Sequence, residues 1–359
     1  MKKVLFFLFV NFTFYIEGEI KFSHSNQDLC VQTLNTYGMF YSDNLEERHQ
    51  QTLSFLRRHD CDIVLLQEVW QEEHYQNLKE LSQDINMKSV YFRKPFDDKK
   101  SGLVGLFKGG VQTSDIFYFP PAVQSGLGLL SDVFKALDKG FGMAQVHSSW
   151  TPQDSLLVFN FHLNHISQME RVNQLLLYLR WILENSYLNQ AIIAGGDFNF
   201  EPDSLEFRII RSLFRFENPY EQIRKQPECT HLCEDGGYEV FNFLVGEGIR
   251  DYIFFRSSPQ MSFNTQDVFA FPKHYNDTFL SDHFGLRAIF HLGDSFEKPL
   301  EVSAEAEAFK ERIKAFKWNL QEVESFFLSG YDTSSMGFIQ SLYEDLENPE
   351  SNVVQYLKY

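Results

Sequence analysis

Twice in this chain a short, unbroken apolar run ends in an acid and is followed by an amphipathic helix. The first is "CDIVLLQEVW" ahead of a helix over Gln71 to Leu81, and the second is "AIIAGGDFNF" ahead of a helix near Ser204 to Phe214. Runs this short, bounded by Gly and polar residues, read as strands covered on both faces, and helices between them imply layers of α on β. A further strand over Leu29 to Leu34 precedes a helix opened by Asn44-Leu45-Glu46-Glu47, with an amide at the cap and an acid three residues on. Between Val90 and Val146 helical periodicity fades into strand-like pieces broken by Gly and Pro. Leu156 to Phe161 then precedes a helix over Gln168 to Leu183, and the last strands are Asp251 to Phe255 and Gly285 to Leu292. The second half thus repeats the order of the first. The pattern predicts an α/β fold: a four-layer α/β/β/α sandwich of two mixed β-sheets flanked by helices, with the site where strand ends of both halves meet.

With 359 residues, 43% apolar, the chain has enough material for a large core. Its formal charge of -17 argues against long nucleic acid as a substrate, since no basic run compensates. Met1-Lys2-Lys3 followed by Val4 to Val10 reads as the start of a secretory signal over residues 1–18, the alternative being a buried N-terminal strand. Export follows from the first reading. Beyond Pro299, Phe309, Ile313, Phe316, Leu320, Val323 and Phe327 recur at helical spacing, so residues 296–359 are expected to form an amphipathic helical extension that docks on the domain or on a protein partner. Residues 19–295 are then the main domain. Cys30 and Cys61 begin apolar runs and read as small buried hydrophobes, whereas Cys229 and Cys233 lie in a polar loop and would be able to pair in an exported protein.

Polar clusters stand at the ends of the strand-like runs: Asn35 in "LNTYG", Gln67 and Glu68 in "LLQEVW", Asn160, His162 and His165 in "FNFHLNH", Asp197 and Asn199 in "GGDFN", Asp251 in "IRDYIFF", and Asp282 and His283 in "LSDHFG". Taken singly, each is ordinary turn chemistry. Together they supply carboxylates that suit a hard cation, imidazoles that titrate near neutrality and amides that can hold a phosphoryl oxygen, which is what hydrolysis of a phosphate ester needs.

The ordered series Asn35, Gln67-Glu68, His162-Leu163, Gly196-Asp197-Phe198-Asn199, Asp251-Tyr252 and Ser281-Asp282-His283 resembles the motif series of the endonuclease/exonuclease/phosphatase superfamily. Within it, "LNTYGMF", "DIVLLQEVWQEEHYQNL", Lys139-Gly140-Phe141-Gly142 and the pair Arg171 and Gln174 resemble the neutral sphingomyelinases. The resemblance implies a metal-dependent phosphodiesterase that releases phosphocholine from sphingomyelin or a related choline lipid. A phospholipid membrane surface would be its substrate and no nucleic acid its partner. Glu68 would be the principal metal ligand, with Asn35 beside it and Asp282 near the ion or its waters. The ion would be Mg²⁺, with Mn²⁺ or Co²⁺ as alternatives. His283 would be the general base, oriented by Asp251; His162 would donate to the phosphoryl group or the leaving oxygen; Asp197 and Asn199 would position the phosphate and the attacking water. His165 is peripheral in this reading.

Two aromatic stretches are candidates for membrane contact, Ile116 to Pro121 and the segment from Met261 through Phe263, Phe269 and Phe271. Gly195 and Gly196 are expected to let the Asp197 backbone come close to the phosphate. The alternatives are a nuclease or an inositol-phosphate phosphatase built on the same core, and a non-enzymatic lipid- or protein-binding module.

Overall fold

The structure, a computed structural model, describes residues 28–293 apart from 39–43, 95–100, 120–138, 148–155, 166–167, 186–189, 203, 214–215, 232–247, 272–273 and 276–277. The expected leader, the C-terminal extension, Pro120, Pro121 and Cys233 lie outside the described residues.

The chain forms β1 (Asp28–Asn35), α1 (Leu45–Arg58), β2 (Ile63–Gln67), α2 (Glu72–Asp84), β3 (Lys88–Tyr91), β4 (Val104–Phe107), β5 (Gly110–Tyr118), β6 (Gly140–His147), β7 (Leu156–His162), α3 (Gln168–Glu184), β8 (Ile192–Asp197), α4 (Leu205–Leu213), the short α5 (Pro219–Gln222), β9 (Asp251–Arg256), β10 (Ser262–Phe271), β11 (His274–Tyr275), β12 (Thr278–Phe279) and β13 (Gly285–Gly293). One sheet runs β10-β13-β1-β2-β4-β3 and the other β5-β6-β7-β8-β9. Within them, β1 with β2 and β7 with β8 pair in parallel, and the remaining neighbours are antiparallel.

The apolar runs are unbroken because each strand is covered on both faces. Leu29 and Val31 of β1, Ile63 and Leu65 of β2, Val158 of β7 and Ile193 of β8 share one cluster between the sheets. Their neighbours point the other way. Cys30, Leu34, Val64 and Leu66 pack under α1 and α2 against Phe55, Leu56, Leu78 and Leu81. On the far side Phe159, Phe161, Ile192 and Ala194 pack under α3 and α4 against Val172, Leu175, Tyr178 and Ile209. Helix, sheet, sheet, helix is the resulting order of layers, as the sequence pattern predicts.

Register brings the chemistry to one end. Asn35 lies opposite Gln67 in the first sheet, while His162, Asp197 and Asp251 stand in line across β7, β8 and β9 in the second. The sheets are joined just beneath this edge by buried amides. Gln67 Nε2 donates to Asn160 Oδ1 at 2.7 Å, and Asn160 Nδ2 donates to the carbonyls of Leu66 and Val104 at 3.0 Å each.

Several expectations change. Gly195 and Gly196 serve strand packing rather than approach to a ligand. A Cβ on Gly195 would sit 2.8 Å from Leu65 of the opposite sheet, and one on Gly196, whose φ is 146°, would sit 2.1 Å from the Phe161 carbonyl oxygen. The aromatic stretches proposed for membrane contact are strands. Phe263 and Phe271 of β10 are core, Ile116 and Phe119 are buried, Phe117 stacks on Phe141, and the ring of Phe269 lies under the Arg287 guanidinium. Asn44 precedes α1 in a left-handed conformation, φ 52°, without a side-chain cap bond. Among the described residues no helix is long and apolar enough to cross a membrane.

Cys30 and Cys61 are not merely small hydrophobes: they form a disulfide. The parallel register, Val31 opposite Ile63, places the two cysteines side by side, and Asp62 anchors the same point by accepting from the Cys30 amide at 2.8 Å. The bridge spans 31 positions, for which the chain-entropy model gives about 3–4 kcal/mol. Replacing both cysteines with alanine should lower the midpoint of thermal unfolding by roughly 10 °C. The variant should melt below the native protein with no reductant present; identical melting of the two would show that the bridge adds nothing.

Candidate active site

Three strand ends turn sharply where they deliver their side chains. After β2, Glu68 adopts a left-handed φ of 61°, after β8 Asn199 one of 54°, and after β1 Tyr37 one of 48°. Such conformations are costly for residues other than Gly and Asn and persist where surrounding bonds fix them. Here they are fixed. The Tyr37 amide donates to Asn35 Oδ1 at 3.0 Å, and the Asn199 amide donates to Asp197 Oδ1 at 3.0 Å.

Asn35 is the bridge of the site: its Nδ2 donates to Glu68 Oε1 and to Asp197 Oδ2, both at 3.0 Å. Two carboxylates on different sheets are thereby held together. Its Oδ1 accepts from the Tyr37 amide, so in this arrangement Asn35 positions both carboxylates, and the second lone pair of that oxygen remains for a cation.

Asp251 Oδ2 and His283 Nδ1 lie 2.7 Å apart and buried, so the ring presents Nε2 to the cleft, 3.9 Å from Asp197 Oδ2 and 3.9 Å from Asp282 Oδ1. Ser281 sets this loop. Its hydroxyl donates to the Asn35 carbonyl at 2.6 Å and accepts from the His283 amide at 3.1 Å. Thr230 accepts from the amides of Arg250 and Asp251, which fixes the carboxylate side of the pair. Burial disfavours charge on the imidazole, but the carboxylates of Asp251, Asp282 and Asp197 outweigh it and raise the pKa of His283 above its ordinary value.

His162 departs from its expected role. The ammonium of Lys139 donates to its Nε2 at 2.8 Å and to the Leu163 carbonyl at 2.9 Å, so Nε2 accepts and is not poised to protonate a leaving oxygen. Burial and the Lys139 charge hold His162 well below the usual imidazole range, hence neutral. The cation at this position is Lys139 itself, whose pKa burial brings down to about 8 although Asp197 and Glu68 act against the fall. His165 is less remote than expected, its Nδ1 lying 3.5 Å from the same ammonium. Asn199 Nδ2 donates to the same Leu163 carbonyl at 3.1 Å.

Lys139, Thr230, Ser281 and Arg48 are the residues that the sequence reading left without a role. Arg48, buried on α1, donates to the carbonyls of Thr36 at 3.2 Å, Tyr37 at 3.0 Å and Leu280 at 3.4 Å, tying together the loops that carry Asn35 and His283. A basic residue on the first helix in an acidic chain was the available signal.

The donor set fits a hard dication. Glu68 Oε2 is buried without a hydrogen-bond partner, and the pKa of the carboxyl is raised by burial and then by the negative charge of Asp282. A buried carboxyl with a bare oxygen, its ionisation opposed by a second carboxylate, suits Mg²⁺, which takes one or two carboxylates and fills its shell with water and phosphate. Glu68 with Asp282 would hold it. Asp197, Asp251 and His283, and separately His231, Asp282 and His283, also bring their ligand atoms within 4.8 Å of one another.

A family model described as "Endonuclease/Exonuclease/phosphatase family" matches residues 33–283, which include all of these positions. No curated protein matches the chain. Among solved structures it is similar to a functionally unknown conserved protein from Enterococcus faecalis, at 16% identity over 74% of this chain and 100% of that one, with a TM-score of 0.57. It is similar to a humanized D. rerio TDP2 at 21% identity over 74% and 99% of the two chains, TM-score 0.55. Sphingomyelinase C from Streptomyces griseocarneus shares 16% identity over 73% and 98%, TM-score 0.54.

The ionic pair gives a stability signature. Since the folded pKa of His283 lies above its unfolded value of about 6.5, its contribution is complete below that pH and is lost as pH rises through the raised value. In the absence of divalent metal, the stability gap between the native chain and Asp251→Asn in urea unfolding should therefore be widest near pH 6 and narrow on the alkaline side. A gap independent of pH would contradict the ion pair.

Proposed function

The chain belongs to the endonuclease/exonuclease/phosphatase family, and from that premise we propose that it is a metal-dependent phosphodiesterase acting on sphingomyelin or a related choline phospholipid, with phosphocholine and ceramide as products. The observation that carries the reading is the buried Asp251–His283 pair, whose free Nε2 faces Asp197 across from the bare oxygen of Glu68. Choice of a lipid over DNA rests on the charge of -17 and on the sphingomyelinase-like motifs around Asn35 and Glu68.

In this mechanism Asp251 holds the Nδ1 proton of His283, so that Nε2 takes a proton from the attacking water. Asp197, fixed by Asn35 and by the Asn199 amide, orients that water, and Asn199 lines the phosphate side. Lys139, with neutral His162 as its acceptor, brings positive charge to the phosphoryl oxygens. Glu68 and Asp282 would hold a Mg²⁺, which when bound would supply Lewis-acid stabilisation of charge on the phosphate. The bond between phosphorus and the ceramide oxygen breaks as water adds, and that oxygen takes a proton from solvent water to leave as the alcohol, while His283 returns to solvent the proton it took. Residues 19–295 form the catalytic domain in this reading, and the tail from 296 engages a partner. Export is supported by the Cys30–Cys61 bridge and by Cys229, also disulfide-bonded.

Release of phosphocholine from sphingomyelin vesicles should require Mg²⁺ and exceed action on phosphatidylcholine, inositol phosphates and single-stranded DNA. His283→Ala should lower it by about 10²- to 10⁴-fold with folding intact. Cleavage of DNA alone would overturn the lipid assignment. The rate should also fall as pH passes about 8, where Lys139 loses its proton, and Lys139→Arg should move that limb to higher pH; an unmoved limb would remove Lys139 from the reaction.

A further inference from the structure

His231 stands outside the proposed reaction, yet it is built against its centre. It pairs with His283 across an isolated antiparallel bridge, and the two ring centroids lie 4.6 Å apart. Its backbone is held from the other side by Gly248, through bonds of 2.9 and 3.1 Å, and the adjoining Thr230 carbonyl accepts from the Phe284 amide at 2.7 Å. Side chains of directly bridged residues project to the same face, so both imidazoles meet Asp282 there. All three residues are largely withdrawn from solvent: His231 and His283 are buried, and the Asp282 side chain is only 13% exposed.

We propose that His231, Asp282 and His283 form a site for a transition-metal dication of the zinc type, which shares Asp282 with the all-oxygen position at Glu68 but takes two imidazoles besides, and that its filling inhibits the enzyme. The inhibitory part rests on the proposed role of His283 as base. Two imidazole nitrogens and one carboxylate oxygen are ligands that suit zinc and do not suit Mg²⁺. Their atoms already lie within 4.8 Å of one another, and a tetrahedral shell with bonds of about 2.0–2.1 Å needs them ~3.3 Å apart, a closure within reach of side-chain rotation. The outer shell is present as well. Asp251, 2.7 Å from His283 Nδ1, fixes the tautomer that leaves Nε2 as a ligand, the carboxylate–histidine–zinc arrangement of many metal sites. Asp197 Oδ2, 3.9 Å from Nε2, offers a fourth donor. No competing thiolate intervenes, since among the described residues there is no free cysteine. An ion bound to Nε2 occupies the lone pair that would accept the proton of water. Zinc and catalysis therefore compete for one nitrogen.

The full chain, in excess Mg²⁺, would be titrated with Zn²⁺ by calorimetry and assayed on a soluble phosphodiester. The native protein should bind one equivalent tightly and lose activity with the same midpoint. His231→Phe, which keeps a ring against His283, should weaken zinc by more than about 10-fold, the least that even outer-shell changes cost such sites, and shift the inhibition midpoint equally. Unchanged zinc affinity in His231→Phe would overturn the site. X-ray absorption of the zinc-loaded native chain gives a second measurement that needs no variant and no activity: scattering from two imidazoles is expected, and one or none would overturn the proposal. Two-imidazole binding without inhibition would overturn the competition, and with it the assignment of His283 as base, while leaving the metal site standing.

Discussion

The hydrogen bonds of Asn160 hold the two sheets in register, and the site exists only in that register. The side chain leaves the middle of β7 for the inter-sheet space, where its amide meets Gln67, Leu66 and Val104 of the opposite sheet. Each bond is worth only about 1 kcal/mol net, but any of these buried groups left alone would cost about 1–3 kcal/mol, so a slipped packing is penalised several times over. Asn160 is two residues before His162, and Gln67 immediately precedes Glu68. A single amide pair thus decides which polar groups of one sheet face which of the other.

Above that pair, the site gathers Glu68, Asp197, Asp251 and Asp282 at one edge, with Lys139 and His283 as the interior cations described. Burial pushes the carboxyls of Glu68, Asp251 and Asp282 toward the neutral form, and a neighbouring carboxylate adds to it, Asp282 for Glu68 and Asp197 for Asp251 and Asp282. An arrangement of this kind is poor for stability and good for taking up a cation. The left-handed turns at Glu68 and Asn199 belong to the same compromise, since they aim side chains at a shared point instead of letting the strands end in relaxed geometry.

The strand ends were legible in sequence because a fully covered strand cannot alternate: "CDIVLL" and "AIIAGG" announce both their conformation and their burial, and the polar residue that follows stands out. Lys139 ends no apolar run, and only its place at the head of Lys139-Gly140-Phe141-Gly142 singled it out, without a role. It precedes Gly-Phe-Gly and reaches His162 only through the antiparallel pairing of β6 with β7, a contact between residues 23 positions apart. The cysteine bridge was hidden for the same reason, since it follows from the parallel register of β1 and β2 and not from any spacing motif. In β10, Asn264, Gln266 and Asp267 interrupt the aromatic residues; the interruption is the exposed side and a bulge between Thr265 and Asp267 on a strand whose other face is core.

The connectivity also orders the making of the molecule. β5 to β9 complete their sheet within residues 110–256, each strand beside one already made. The other sheet cannot close that way: β1, at its centre, takes its second neighbour from β13, so Leu29 pairs with Phe290 and Val31 with Ala288. During synthesis β1, the first of the described strands, therefore keeps an unpaired edge until β13 has followed it. Of the two sheets, the one holding Glu68 is the last to be finished, and the edge it leaves open meanwhile is a place where a nascent chain needs protection from pairing with another.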